Sequence, residues 1–241
     1  MDANQLQQLY TAYPDFRLDA LTHLTFYAFE GTTSFILDSI RNATALSYID
    51  IRKIHDFHRV ATFLSNIPNG LKELRIKYVK DANIKTHDII ELFNRHARLS
   101  EKSPGSALER IHFVSFSGIN DKILVALANI KTLKGINFTN LPDITENGIR
   151  AFFKKIDCYQ LTYIRLSDMD LITDQVICDI QDFKALTCLE LDRLKVTDEG
   201  VLAFVYKANG NILKKLLITE CPQINGASVY YAKSKIEITV H

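Results

Sequence analysis

The stretch Leu161–Ile177, LTYIRLSDMDLITDQVI, decides the fold. Its first, fourth and sixth places are apolar (Leu161, Ile164, Leu166), with polar residues between Ile164 and Asp168. Alternation of this kind puts successive side chains on opposite faces of a strand. Met169 and Ile172 follow, and then Thr173-Asp174. A Thr hydroxyl accepts from the free N–H groups of a helix start, and an Asp just after it suits the positive end of the helix dipole. The stretch therefore reads as strand, turn and helix. One such unit cannot bury its own apolar face and must stack on others.

The same hexapeptide returns along the whole chain. It reads LTHLTF from Leu21, LSYIDI from Leu46, LKELRI from Leu71, LERIHF from Leu108, LKGINF from Leu133, LTYIRL from Leu161, LTCLEL from Leu186 and LKKLLI from Leu213. The start-to-start spacings are 25, 25, 37, 25, 28, 25 and 27 residues. All but one fall in the range of leucine-rich repeats. Three residues past each hexapeptide stands another apolar residue or a cysteine: Phe29, Ile54, Val79, Phe116, Leu141, Met169, Leu194 and Cys221. Most repeats then show an Ile or Val before a cap, as in Ile119-Asn-Asp, Ile144-Thr-Glu, Val196-Thr-Asp and Ile224-Asn-Gly.

These patterns predict an α/β leucine-rich-repeat solenoid, a horseshoe with a parallel concave sheet, convex helices and about eight repeats over residues 21–234. Residues 1–20 are expected to form a capping helix, with Leu6, Leu9, Tyr10 and Tyr13 at helical spacing and Pro14 ending it. Residues 235–241 alternate apolar and polar and read as a closing strand, Ile236 to Val240. The third repeat is 37 residues long. Its surplus, near Asn94–Ala107, is polar and carries Pro104 and Gly105, so it reads as a loop. Such an insertion serves for contact or is a tolerated solvated loop.

Composition narrows the function. The chain has 241 residues, 47% hydrophobic and 24% charged, with a formal net charge of +1. No apolar run approaches the roughly 20 residues of a membrane span. Near-neutral charge gives no electrostatic reason to expect nucleic acid or an anionic membrane. Cys158, Cys178, Cys188 and Cys221 form no C-x-x-C pair and read as reduced thiols of a cytoplasmic or nuclear protein. Phosphate-loop, dinucleotide, zinc-protease and serine-hydrolase motifs are all missing. His55 and His58 are spaced for a metal on a helix but lack a second ligand pair, so no metal or other cofactor is expected.

The strand pattern assigns an outward row to each repeat. It predicts a concave face built from Tyr48, Asp50, Arg52, Glu73, Arg75, Lys77, Arg110, His112, Asn137, Tyr163, Arg165, Glu190 and Asp192. Arg and Tyr are the residue types favoured at binding hot spots. Mixed charge suits a protein partner with patches of both signs. The same residues equally suit a solvated sheet whose charges pair across strands.

The repeats resemble the cysteine-containing subtype of leucine-rich repeat, whose pattern runs x-x-L-x-L-x-x-C-x-x-I-T-D-x-G. The matching stretches are LTYIRLSDMDLITDQVI, LTCLELDRLKVTDEGV and LKKLLITECPQINGASV, and Cys221 keeps the signature cysteine. The resemblance covers the chain from about Leu21 onward. It implies a non-catalytic protein-binding scaffold, foremost substrate recognition in an SCF-type ubiquitin ligase, where an F-box recruits the cullin-ligase adaptor. About 20 residues precede Leu21, and an F-box needs about twice as many. It is expected elsewhere in a longer protein or not at all. The alternative is a structural or assembly subunit of a larger complex with no ligase link.

Overall fold

The computed structural model describes residues 8, 12, 19–27, 43–53, 64, 69–80, 86–207, 212–225 and 237–240. The expected capping helix of residues 1–20 and the pair His55/His58 lie outside these residues, apart from isolated positions.

Each hexapeptide starts a strand at its third place. The strands are β1 (His23–Tyr27), β2 (Tyr48–Arg52), β3 (Glu73–Val79), β4 (Arg110–Phe116), β5 (Gly135–Thr139), β6 (Tyr163–Ser167), β7 (Cys188–Asp192), β8 (Lys215–Thr219) and β9 (Glu237–Val240). They form one open sheet in chain order, every pair parallel. Parallel neighbours need a crossover, and five helices are described between them. These are α1 (Thr86–Lys102), α2 (Asp121–Leu127), α3 (Glu146–Lys155), α4 (Asp174–Ile180) and α5 (Asp198–Lys207).

The core lies between the sheet and these helices. Fourth- and sixth-place residues such as Ile49, Ile51, Phe113, Phe138, Ile164 and Leu191 are buried. Each contributes roughly 1.5–3 kcal/mol relative to exposure. Phenylalanines run through the middle, with Phe113 stacked on Phe138 at 5.9 Å and Phe138 tilted against Phe152 at 5.6 Å.

The residue after the seventh place bends the chain, beyond the last strand residue in β2 and β5–β8 and one residue before it in β3 and β4. Lys53, Tyr78, Ser115, Asn140, Asp168, Arg193 and Glu220 all hold φ between 48° and 58°. A non-glycine residue in this left-handed region costs about 1–2 kcal/mol. The turn brings the next residue, from Val79 to Cys221, back into the core. Strict alternation would send the eighth place inward, so the turn is a departure from the strand pattern that the hexapeptide does not announce.

Helix starts lock one repeat to the next. Thr145 donates its N–H and its hydroxyl to the Asp121 carboxylate at 2.9 and 2.7 Å, while its hydroxyl oxygen accepts from the Gly148 N–H. Thr197 repeats this with Asp174 and Gly200. A Cβ on either glycine would collide with the aspartate. Between these two, Glu146 replaces Asp and reaches the Thr173 hydroxyl at 3.2 Å. There the glycine position holds Val176. In these two repeats the Asp of one helix start goes with a Gly in the next.

The expected loop at Asn94–Ala107 is corrected. Its first part is the second half of α1, and Pro104–Ser106 forms a 3-10 turn. The helix persists because Ile89, Leu92, Phe93, His96 and Ser100 carry its buried stripe into the polar segment. His96 Nδ1 accepts from the Leu108 N–H at 3.2 Å. The Ser100 hydroxyl accepts from the Lys131 N–H at 3.0 Å and donates to the Ala97 carbonyl. The surplus is thus regular structure, packed at His96, Ser100 and Ala107 and exposed from Glu101 to Gly105.

Candidate functional site

The helices cover one face of the sheet, and the sequence-predicted site residues lie on the other. In-register pairing stacks them into rows across the strands. The fifth-place row runs Asp50, Arg75, His112, Asn137, Arg165, Glu190. The third-place row holds Tyr48, Glu73, Arg110, Gly135 and Tyr163. The seventh-place row holds Arg52, Lys77, Val114, Thr139, Ser167 and Asp192.

A first cluster gathers on β2–β4. Asp50 was expected to be available to a partner but is wholly buried. Long neighbours fold over it. Arg52 binds it with two nitrogens at 3.1 and 2.6 Å, Tyr48 donates its hydroxyl at 3.3 Å, and Lys77 stands at 3.8 Å. Burial alone pushes the Asp50 carboxyl up, but the Arg52 hydrogen bonds and the Lys77 charge bring it below its usual range. Burial also lowers Lys77 from the ordinary lysine value. Next to this, Glu73 accepts from Arg75 at 2.6 Å and meets His112 Nε2 at 3.2 Å. The Arg75 guanidinium lies 5.3 Å from the centre of the Tyr48 ring, within cation–π range. Burial and the Arg75 charge depress His112 to about 4, so it is neutral at pH 7.

A second cluster gathers on β6–β8. Arg165 reaches Glu190 at 3.0 Å and Asp192 at 3.3 Å, and Ser167 donates to Asp192 at 2.9 Å. Arg193 pairs with Asp168, with Asp192 at 3.2 Å and with Glu220 at 3.1 Å. Burial and the nearby Glu190 carboxylate push the Tyr163 phenol up to about 12. Burial and the same carboxylate raise the Cys188 thiol, which disfavours the reactive thiolate.

Between the clusters the seventh-place row and Asn137 are uncharged, with Arg110 the charge beside them in the third-place row. Val114, Asn137 and Thr139 stand there, the Thr139 hydroxyl donating to Asn137 at 2.9 Å. Gly135 leaves a gap into which Arg110 and Tyr163 lean. Arg110 is exposed and forms no ion pair among the described residues. The structure therefore does not bring the site residues into one cluster. Asp50, Arg52, Glu73, Arg75, Lys77 and His112 form one group, Arg165, Glu190 and Asp192 another.

Residues missed by the strand pattern sit at its exit. Lys53, Tyr78, Asp168, Arg193 and Glu220 are eighth-place residues, and Tyr27 is at the seventh place of β1. A partial signal existed, since the eighth place is polar except at Ala28 and Tyr78 while the ninth is always apolar or cysteine.

The sequence matches no family profile and no curated protein. Its fold is similar to that of a chain in the crystal structure of the Rad7 and Elc1 complex in yeast. The TM-score is 0.54 at 13% sequence identity, over 98% of this chain and 71% of that chain. At that identity the likeness speaks to the fold, an α/β repeat-like stack on one parallel sheet. Among the described residues no helix is long and apolar enough to cross a membrane.

Proposed function

We propose that the chain is a leucine-rich-repeat solenoid of the cysteine-containing subtype. On this reading it is a non-catalytic scaffold that binds a protein partner on its concave, helix-free face. The observation that carries this reading is a sheet face free of helices among the described residues and lined by Tyr, Arg and carboxylate side chains in registered rows. A partner with patches of both signs would match its two clusters. The motifs further favour substrate recognition in an SCF-type ubiquitin ligase pathway, in the cytoplasm or nucleus. That the similar chain was solved in a complex of Rad7 with Elc1 supports a role inside a protein assembly.

The test is affinity capture from a native extract. The expected result is a cullin or an F-box-binding adaptor among the captured proteins. Arg110→Glu is expected to weaken capture of the concave-face partner at least tenfold. Arg110 is the right lever because Arg75 and Arg165 are already engaged by carboxylates. Recovery of partners without any ligase component would remove the ligase reading, and capture indifferent to Arg110→Glu would remove the concave-face reading. The same likeness to a member of a solved complex favours a second reading, a fixed structural subunit. A fixed subunit keeps a constant ratio to its partner through high salt, whereas a receptor exchanges its clients.

A further inference from the structure

We propose that the strand-exit corner of β1–β3, formed by Tyr27, Arg52, Lys53, Lys77 and Tyr78, receives an acidic segment of the partner, rich in Asp and Glu. From there the bound segment crosses the sheet extended and presents a Lys or Arg to the opposite exit corner. This deepens the protein-binding reading and rests on it.

The two corners occupy equivalent places in the fold and carry inverted charge. At the first, Arg52, Lys53 and Lys77 face one carboxylate, Asp50, which is wholly buried beneath them. At the second, Asp168, Asp192 and Glu220 face Arg193, and Asp192 also meets Arg165, which is shared with Glu190, so four carboxylates face two guanidiniums. Among the described residues, each corner thus keeps charge that its own side chains do not neutralise. The first also carries aromatic surface, with Tyr27 55% and Tyr78 50% exposed. Lys53 Nζ lies 5.1 Å from the Tyr27 ring centre. Tyr78 holds its ring in solvent from a backbone at φ 58°. The other six residues of that row, from Lys53 to Glu220, are polar. An exposed tyrosine held in an unfavourable conformation offers rigid contact area at small entropic cost.

The geometry sets a length. From between β2 and β3 to β7 there are four to five strand spacings of about 4.8 Å, or roughly 22 Å. An extended chain covers that in about seven residues. The same geometry selects against nucleic acid, because a strand of phosphates laid on the first corner runs onto the carboxylates of the second.

The experiment is selection of a random peptide library on the full chain, with peptides of about 16 residues so that each can span both corners. Selected peptides are then titrated by fluorescence anisotropy. The expected result is an acidic cluster with a Lys or Arg about seven residues away. Lys53→Glu is expected to weaken binding at least tenfold and Glu220→Lys several-fold. Tyr78→Gly relieves the left-handed backbone, so its melting temperature should hold or rise while binding falls several-fold. Selected peptides without the two-signed pattern would overturn the proposal, as would titrations unmoved by Lys53→Glu and Tyr78→Gly. So would oligothymidine of equal length binding as tightly as the peptides. If Arg110→Glu still abolishes partner capture while the corner substitutions do nothing, this inference fails and the concave-face reading stands.

Discussion

The two sides of the sheet are built by opposite rules. Behind it, two helix starts share one arrangement, Asp121 with Thr145 and Gly148, then Asp174 with Thr197 and Gly200. When Asp becomes Glu146, the glycine becomes Val176. In front, equivalent places hold Asp50, Arg75, His112, Asn137, Arg165 and Glu190, and each strand solves its pairing differently. Repetition behind holds one repeat on the next, and variety in front gives that face two clusters of unlike charge. Substitutions behind should therefore cost stability, and substitutions at the front surface should cost binding.

The largest effect is expected behind. Gly200→Ala drives a Cβ into Asp174 and breaks its two hydrogen bonds to Thr197. Overpacking plus two lost charge-assisted bonds should destabilise by about 3–5 kcal/mol in urea unfolding. In an Asp174→Ala background the obstruction is gone, and Gly200→Ala should become neutral or stabilising by up to about 1 kcal/mol, the ordinary helix preference. Additive losses instead of this reversal would break the coupling described for the helix starts.

Acid comes next and separates the two sides through two histidines. His96, buried behind the sheet, is held at about 3 by burial and by the Arg95 charge. His112, in front, stands at about 4. Unfolded imidazoles bind protons near pH 6.5, so the stability from keeping them neutral is full above that value. It is lost as pH falls toward 3 for His96 and toward 4 for His112. Between pH 7 and 4.5 His96 should cost on the order of 3 kcal/mol, and the partly solvated His112 less. Denaturant titrations at the two pH values should show His96→Gln removing more of the slope than His112→Gln.

A smaller loss is expected within the front face. Arg52→Ala leaves the buried Asp50 with Tyr48 and a lysine at 3.8 Å. That should destabilise by about 2 kcal/mol, because a buried carboxylate loses its main partner while water and Lys77 recover part of the cost. Arg193→Ala, whose side chain is 45% exposed, should stay within about 1 kcal/mol. Thermal melts of the two variants give the ranking.

Much of the strand placement was legible because a buried strand must alternate, and Ile49, Ile51, Ile164 and Leu166 do so in plain view. Pairing partners followed from spacing, as with Asp50 opposite Arg75. The second half of α1 was hidden because its buried stripe uses His96 and Ser100, which hydrophobic periodicity counts as polar. The front face was legible as a row and not as a network. Alternation says that Asp50 and Arg52 share a side of the strand, but not that one buries the other. The eighth-place turn left only a partial trace, because a mostly polar position is what any solvated site carries and does not report the φ that its residues share.

The central claim is that a protein partner lies on the helix-free face. Lysine footprinting of the chain with its captured partner tests it most directly. Lys77 and Lys215 lie on that face, Lys53 at its exit corner, and Lys122 and Lys154 on the helices behind. The expected result is protection of Lys53, Lys77 and Lys215 from acylation, with Lys122 and Lys154 still labelled. Protection of Lys122 and Lys154 with the front lysines fully labelled would contradict it.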